Sequence, residues 1–85
     1  MCFDIPNSSK KRNSLRQSHI KYLNSFKNLI LFAGPIMDEK ENVLGSLIVI
    51  KFSSKKEADD FSKNDPYFLG GLFKKVLITK FKKVF

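Results

Sequence analysis

His19 is the single histidine of the chain, and its place in a predicted helix makes it the first candidate for chemistry. It falls on an apolar stripe with Leu15, Tyr22 and Phe26, which recur at the spacing of one helix face. Partial burial on such a stripe favours the neutral imidazole, the form that acts as a general base. Arg16 precedes it by one turn and can hold an anionic substrate group. The same spacing also fits a histidine that only packs, so both roles stay open.

Other residue types with catalytic potential are sparse. Cys2 is the only cysteine, so an intrachain disulfide is impossible, and one Cys with one His leaves no metal-ligand spacing. We therefore expect no metal and no cofactor. Gly70-Gly71 lacks the glycine spacing and the following helix of a phosphate-binding loop, and instead predicts a tight backbone path.

Length and composition restrict the class of protein. The 85 residues make one domain, covering residues 1–85, with too little chain for a second core. The longest apolar runs, Leu29–Pro35 and Leu47–Ile50, fall far short of the roughly 20 residues that span a bilayer. The segment Met1–Asn7 lacks the basic start and apolar stretch of a signal peptide. These features predict a cytoplasmic protein with no membrane partner.

The net charge of +8 raises the question of nucleic-acid binding. Only two of the 16 basic residues, Arg12 and Arg16, are arginines, and the lysines are spread along the whole chain. Nucleic-acid readers concentrate charge on one element and favour arginine for bidentate contacts. The basic surface and the tail Phe81–Phe85 keep nucleic-acid binding as a less favoured alternative.

The chain alternates strand-like and helix-like segments. The capping signature of Ser54 and Glu57 marks the start of the second helix, which we expect to end near Asn64-Asp65-Pro66. The other predicted elements are a strand at Cys2–Ile5, a helix at Lys10–Asn28, and strands at Leu29–Ala33 (closed by Gly34-Pro35), Leu44–Phe52 and Lys75–Phe81. This order predicts an α+β, ferredoxin-like βαββαβ fold, an antiparallel sheet with both helices on one face.

The third strand argues for a partner. Residues Leu47–Ile50 are apolar at four successive positions, whereas a sheet covered on one side should alternate apolar and polar residues. A second copy packed sheet against sheet would cover the other face, which predicts a homodimer. The alternative is a central strand with one face partly exposed.

Several short motifs, in order along nearly the whole chain, resemble the YCII-related (YciI-like) family. They are Asp4-Ile5-Pro6-Asn7-Ser8, Lys11-Arg12, Arg16-Gln17-Ser18-His19-Ile20, Ala33-Gly34-Pro35, Gly45-Ser46, Asp65-Pro66-Tyr67 and the ending Phe81-Lys82-Lys83-Val84-Phe85. The resemblance implies a dimeric α+β-barrel of two ferredoxin-like subunits. It also implies a His–Asp site whose chemistry is largely undefined, with one branch resembling dehydrochlorinating enzymes.

Carried over by motif, the resemblance makes His19 and Asp65 the candidate catalytic pair. It places Arg16, Asp4, Ser46 and Tyr67 around them as substrate-binding candidates. The implied function is binding or transforming a small, anionic metabolite by lyase-type or hydrolase-type chemistry. The open alternative is a dimeric ligand-binding or accessory module without catalysis. Asp65 has a structural reading as well, since Asp before Pro commonly closes a helix.

Two departures from the family pattern carry expectations. Only Met1–Phe3 precede Asp4, so the first strand is shorter than in the family, and we expect unpaired ladder groups beside it. A start further upstream would explain this shortening. The loop Ile36–Leu44 is also shorter than in many members, so a substrate cannot be transferred from them.

Overall fold

The computed structural model describes residues 1–85 as four strands and three helices. In chain order they are β1 (Cys2–Asp4), α1 (Ser9–Asn24), β2 (Ile30–Met37), β3 (Val43–Ile50), α2 (Lys55–Lys63), α3 (Pro66–Leu69) and β4 (Phe73–Val76). The predicted α+β class is confirmed. None of the helices is both long and apolar enough to cross a lipid bilayer.

The four strands form one antiparallel sheet in the order β2-β3-β1-β4. The shortest strand, β1, is therefore internal: Cys2 pairs with Ser46 on one side and with Val76 on the other. This is the strand order of the predicted ferredoxin-like sheet. Because paired residues share a face, Cys2 and Ser46 point to the same side of the sheet as Asp4, two residues along β1.

The second helix begins where the capping signature predicts. The Ser54 hydroxyl accepts a hydrogen bond from the Glu57 backbone N–H at 3.2 Å, and α2 ends at Lys63, one residue before Asn64. The first helix ends at Asn24 rather than at Asn28. Beyond it the chain continues in tight turns, such as the bond from the Phe26 N–H to the Leu23 carbonyl.

Two strand predictions are wrong at their ends. Gly34-Pro35 does not close the second strand, because β2 runs through it to Met37 and Pro35 pairs opposite Ser46. Since β2 is an edge strand, the missing N–H of Pro35 costs no ladder bond.

The last strand spans Phe73–Val76, not Lys75–Phe81. Its only neighbour is β1, and the pairing ends with two backbone bonds between Met1 and Leu77. Residues 78–85 make no backbone hydrogen bond at all. Their β-forming side chains therefore have no strand beside them, which explains why the propensity of this segment is not realised.

The fully covered apolar core is small and lies under the helices. Its buried members are Cys2, Phe61, Tyr67 and Leu72. Three further aromatic rings pack around Phe61 and extend the core toward the end of β3, with centroids 4.9–6.3 Å apart: Tyr22, Phe26 and Phe52. The stripe predicted for α1 thus faces this core through His19 and Tyr22.

The opposite face of the sheet is apolar and open. Leu47 pairs opposite Gly34, and Val49 opposite Phe32, so these side chains stand on the face away from Ser46. Leu47 and Phe32 are exposed, Phe32 to 55%. The third strand is therefore apolar on both faces, as its sequence indicates, and within one chain nothing covers the outer one.

Candidate active site

His19 lies on the inner face of α1 and is buried. Its Nδ1 is 2.8 Å from Oδ1 of Asp65, 46 residues later in the chain. Both side chains are well covered, with 9% and 3% of their surfaces exposed. A carboxylate at this position accepts the Nδ1 proton and leaves Nε2 as the basic nitrogen of the neutral ring.

Asp65 is held in place by the start of α3. The same Oδ1 accepts the backbone N–H of Tyr67 at 2.9 Å, so Asp65 is the N-cap of this short helix, and Pro66 occupies the first helical position. Asp65 therefore has a structural role as well, but it begins α3 rather than closing α2, which ends at Lys63. The cap does not exclude the contact with His19, because one carboxylate oxygen serves both partners.

Tyr67 covers the flat side of the imidazole. The two rings are nearly parallel, with 13° between their planes and 3.8 Å between their centroids. Tyr67 is only 2% exposed, and burial raises the pKa of its hydroxyl, an effect that Arg12 and Arg16 partly oppose. Asp65 thus contacts the edge of the histidine ring and Tyr67 contacts its face.

Arg12 lies two turns before His19 on α1 and joins the helix to the sheet. Its Nε and Nη2 donate to the two carboxylate oxygens of Asp4 at 2.7 and 3.0 Å, and Nη2 also donates to the Ser46 hydroxyl at 2.8 Å. The guanidinium carbon is 4.7 Å from the centre of the Tyr67 ring. Burial works to lower the pKa of Arg12, but the hydrogen bond and charge of Asp4 outweigh it and raise the pKa.

The structure brings five of the six predicted site residues together as a buried cluster. His19, Asp65 and Tyr67 are in direct contact, and Asp4 and Ser46 are buried next to them. The predicted substrate contacts of Asp4 and Ser46 stay untested, since Arg12 occupies their side chains here.

Arg16 is exposed and has no ion-pair partner, so its guanidinium is free beside the cluster. The residue that sequence reasoning missed is Arg12. Two features of the sequence could have pointed to Arg12. It is two turns from His19, so both lie on one face of the helix. Asp4 on the internal strand β1 also needs a cationic partner once it is buried.

The chemistry available to the cluster depends on its one unpaired ring nitrogen, Nε2 of His19. His19 Nε2 has no hydrogen-bond partner within the chain, and it is not completely enclosed by the protein. A base that is oriented on one nitrogen and accessible on the other can take a proton from a ligand. Nowhere do three His, Cys, Asp or Glu side chains converge as metal ligands would.

Two surface clefts lie elsewhere on the molecule and do not include His19 or Asp65. One, of about 260 Å³, is lined by the aromatic group around Phe26 and by Glu57 and Asp60. The other, of about 350 Å³, lies between α2 and the end of β4. The His19 site is therefore separate from both of these clefts.

Comparison with known proteins matches the chain to one family. The model of the YCII-related domain matches residues 1–82. The chain belongs to the YCII-related family. Among its relatives, an uncharacterised protein of Haemophilus influenzae is 36% identical over 90 residues, covering 96% of this chain and 92% of the relative. Protein YciI of Escherichia coli is 31% identical over the same shares of the two chains.

A solved structure of similar fold adds a ligand to the comparison. It is 5-chloro-2-hydroxyhydroquinone dehydrochlorinase from Burkholderia phenoliruptrix in complex with 2,5-dihydroxybenzoquinone. The TM-score is 0.87 at 27% identity, and the match covers 95% of this chain and 88% of the other. The YCII-related fold of this chain is thus one that holds a small oxygenated ring compound in another protein.

Proposed function

We propose that this protein binds a small, anionic organic molecule at His19 and moves a proton to or from it. The observation that carries the proposal is the hydrogen bond of 2.8 Å between His19 Nδ1 and Asp65, which leaves Nε2 accessible and unpaired. In this role, Nε2 takes a proton from an acidic O–H or C–H of the ligand. Asp65 keeps the ring in the required tautomer and stabilises the imidazolium that forms.

Arg16 supplies the charge for an anionic ligand. It is exposed, unpaired and one turn before His19, so a carboxylate or phenolate that reaches Nε2 can also meet the guanidinium. The dihydroxybenzoquinone bound by the structurally similar dehydrochlorinase is an acidic ring compound of suitable class. That likeness supports the choice of ligand class.

Binding of 2,5-dihydroxybenzoquinone, measured by isothermal titration calorimetry, tests the proposal. We expect saturable binding to the native protein and a loss on the order of tenfold in affinity for His19→Gln, since one charged or proton-accepting contact is removed. Gln17→Ala, an exposed change on the same helix, is the matched control and should bind as the native protein does. Equal affinity of the native and His19→Gln proteins, both with native circular dichroism, would contradict the proposal.

Catalysis is separated from simple binding by a second measurement. Incubation with 5-chloro-2-hydroxyhydroquinone should release chloride if the site catalyses dehydrochlorination, and His19→Gln should lower that rate. Binding of the quinone without chloride release would instead favour a ligand-binding or accessory module that uses the same site.

We also propose that the protein is a homodimer formed through the open face of the sheet, giving a dimeric α+β-barrel. The support is the exposed apolar set on that face, which includes Phe32 and Leu47 and would be covered by a second copy. Sedimentation should give twice the mass of the chain. Leu47→Glu should shift it to the mass of one chain, whereas Leu69→Glu, on α3, should not. A monomeric native protein would overturn this proposal.

A further inference from the structure

The orientation of the His19 ring has two determinants, and only one of them is the hydrogen bond to Asp65. The torsion that turns an imidazole about its last side-chain bond is broad, so a bond to one edge atom limits the ring without fixing its plane. The parallel ring of Tyr67, at 3.8 Å, supplies the second restraint. The direction in which Nε2 points therefore depends on where the Tyr67 ring lies.

Tyr67 is in turn packed against the guanidinium of Arg12, 4.7 Å from the ring centre. Arg12 and His19 are seven positions apart on α1, about 10 Å along the helix axis. The ring from α3 contacts both of these side chains of α1. If Arg12 or His19 moved away, the Tyr67 ring would lose its contact with that side chain.

Arg12 makes three side-chain hydrogen bonds, more than any other side chain of the cluster. It donates to both oxygens of Asp4 on β1 and to the hydroxyl of Ser46 on β3, and only 12% of its side-chain surface is exposed. A planar guanidinium group loses less conformational entropy for each hydrogen bond it makes than a lysine ammonium group does. The sheet thus fixes Arg12, and Arg12 offers Tyr67 a rigid surface.

We propose that Arg12 is a positioning residue that acts on His19 through Tyr67. Asp4 and Ser46 hold Arg12, Arg12 supports the ring of Tyr67, and that ring sets the plane of the imidazole and the direction of Nε2. The inference rests on the proposed function of His19 as the ligand-facing base. It gives Asp4 and Ser46 a role in holding Arg12 rather than in touching the ligand.

An ion pair that serves stability alone would make a different prediction. Loss of Arg12 would then lower the free energy of unfolding but leave the His19 ring where it is in the protein that remains folded. The discriminating measurement is therefore local to the ring. The carbon-bound protons of His19 lie over the Tyr67 ring, and their NMR shifts report its shielding.

The test uses the paired change Asp4→Asn with Arg12→Gln, which removes both charges together and so leaves no unpaired buried carboxylate. We expect the His19 ring protons of the folded variant to lose shielding and move toward the shifts of a free histidine. Its affinity for 2,5-dihydroxybenzoquinone should fall by about tenfold, because small misplacements of a reacting group are costly. Lys56→Gln, which breaks the exposed pair with Asp60, is the matched control and should change neither readout.

Ser46→Ala is the second variant, measured in the same way in case the paired variant fails to fold. It removes one of the acceptors of Arg12 and no charge, so a smaller loss of shielding in the same direction is expected. Unchanged His19 ring shifts in the folded paired variant, or in Ser46→Ala when only that variant folds, would overturn the role of Arg12. That outcome is separate from failure of the proposed function, which is shown by His19→Gln binding the quinone as the native protein does.

Discussion

The imidazole of His19 and the phenol ring of Tyr67 stack at 3.8 Å, and the backbone N–H of Tyr67 donates to the same oxygen of Asp65 that His19 contacts. One short helix, α3, therefore holds the histidine by its edge and by its face. The local sequence Asp65-Pro66-Tyr67 explains this, since Asp caps, Pro begins the helix, and the ring that follows turns inward.

Asp65 has two roles that substitution can separate. Asp65→Asn keeps an oxygen that caps α3, so its free energy of unfolding should stay within about 1 kcal/mol of native. Asp65→Ala removes both the cap and the partner of the buried His19, and should lose on the order of 2–3 kcal/mol. Urea denaturation followed by circular dichroism measures both. Equal losses for the two variants would show that the carboxylate charge, not the cap, dominates.

Helical spacing was sufficient to place His19 on the buried face of α1, because periodicity reports which side of a helix meets the core. It pointed to Arg16 as the arginine of the site and did not reveal that Arg12, one turn earlier, contacts the sheet. That contact depends on Asp4 and Ser46, brought together by the pairing of β1 with β3. Local residue spacing does not show which distant strands pair with each other.

Local residue propensity could not predict where the strands end, for a related reason. The segment Lys75–Phe81 has the residue types of a strand, but a strand needs a neighbour, and the bonds to β1 stop at Leu77. Gly34-Pro35 looks like a strand end, yet the edge position of β2 lets the strand continue.

Gly45 is the glycine on which the central pairing depends. A Cβ added there would lie 1.9 Å from the carbonyl oxygen of Cys2, so β1 and β3 would have to separate. Gly45→Ala should therefore lower the free energy of unfolding by about 1–3 kcal/mol, the usual range for overpacking. Ser18→Ala, an exposed change on α1 away from the β1–β3 pairing, is the control.

For this pair the measurement is the urea midpoint of each variant, with the slope of the transition checked for constancy. The control should match the native midpoint or exceed it, because alanine has a higher helix propensity than serine. A midpoint for Gly45→Ala equal to that of the control would mean that β1 is not packed against β3 at this register.

The thiol of Cys2 makes stability depend on alkaline pH. Burial raises its pKa from 9.0 to about 11 in the folded chain. Between these values the unfolded chain has released the proton while the folded chain retains it, so the free energy of unfolding falls as pH rises through this window. Below pH 9 both states are protonated and the thiol adds no slope.

Cys2→Ala should remove this part of the dependence. Urea midpoints at pH 8 and pH 10.5 should therefore differ less for Cys2→Ala than for the native protein, whatever the offset caused by the smaller side chain. Ser18→Ala, an exposed change on α1, should keep the full native difference. Other groups that titrate in this range, including Tyr67, whose pKa burial also raises, are common to all three proteins and cancel in the comparison. Parallel pH dependence in the native and Cys2→Ala proteins would mean that the thiol titrates alike folded and unfolded, and hence that β1 does not seal it from water.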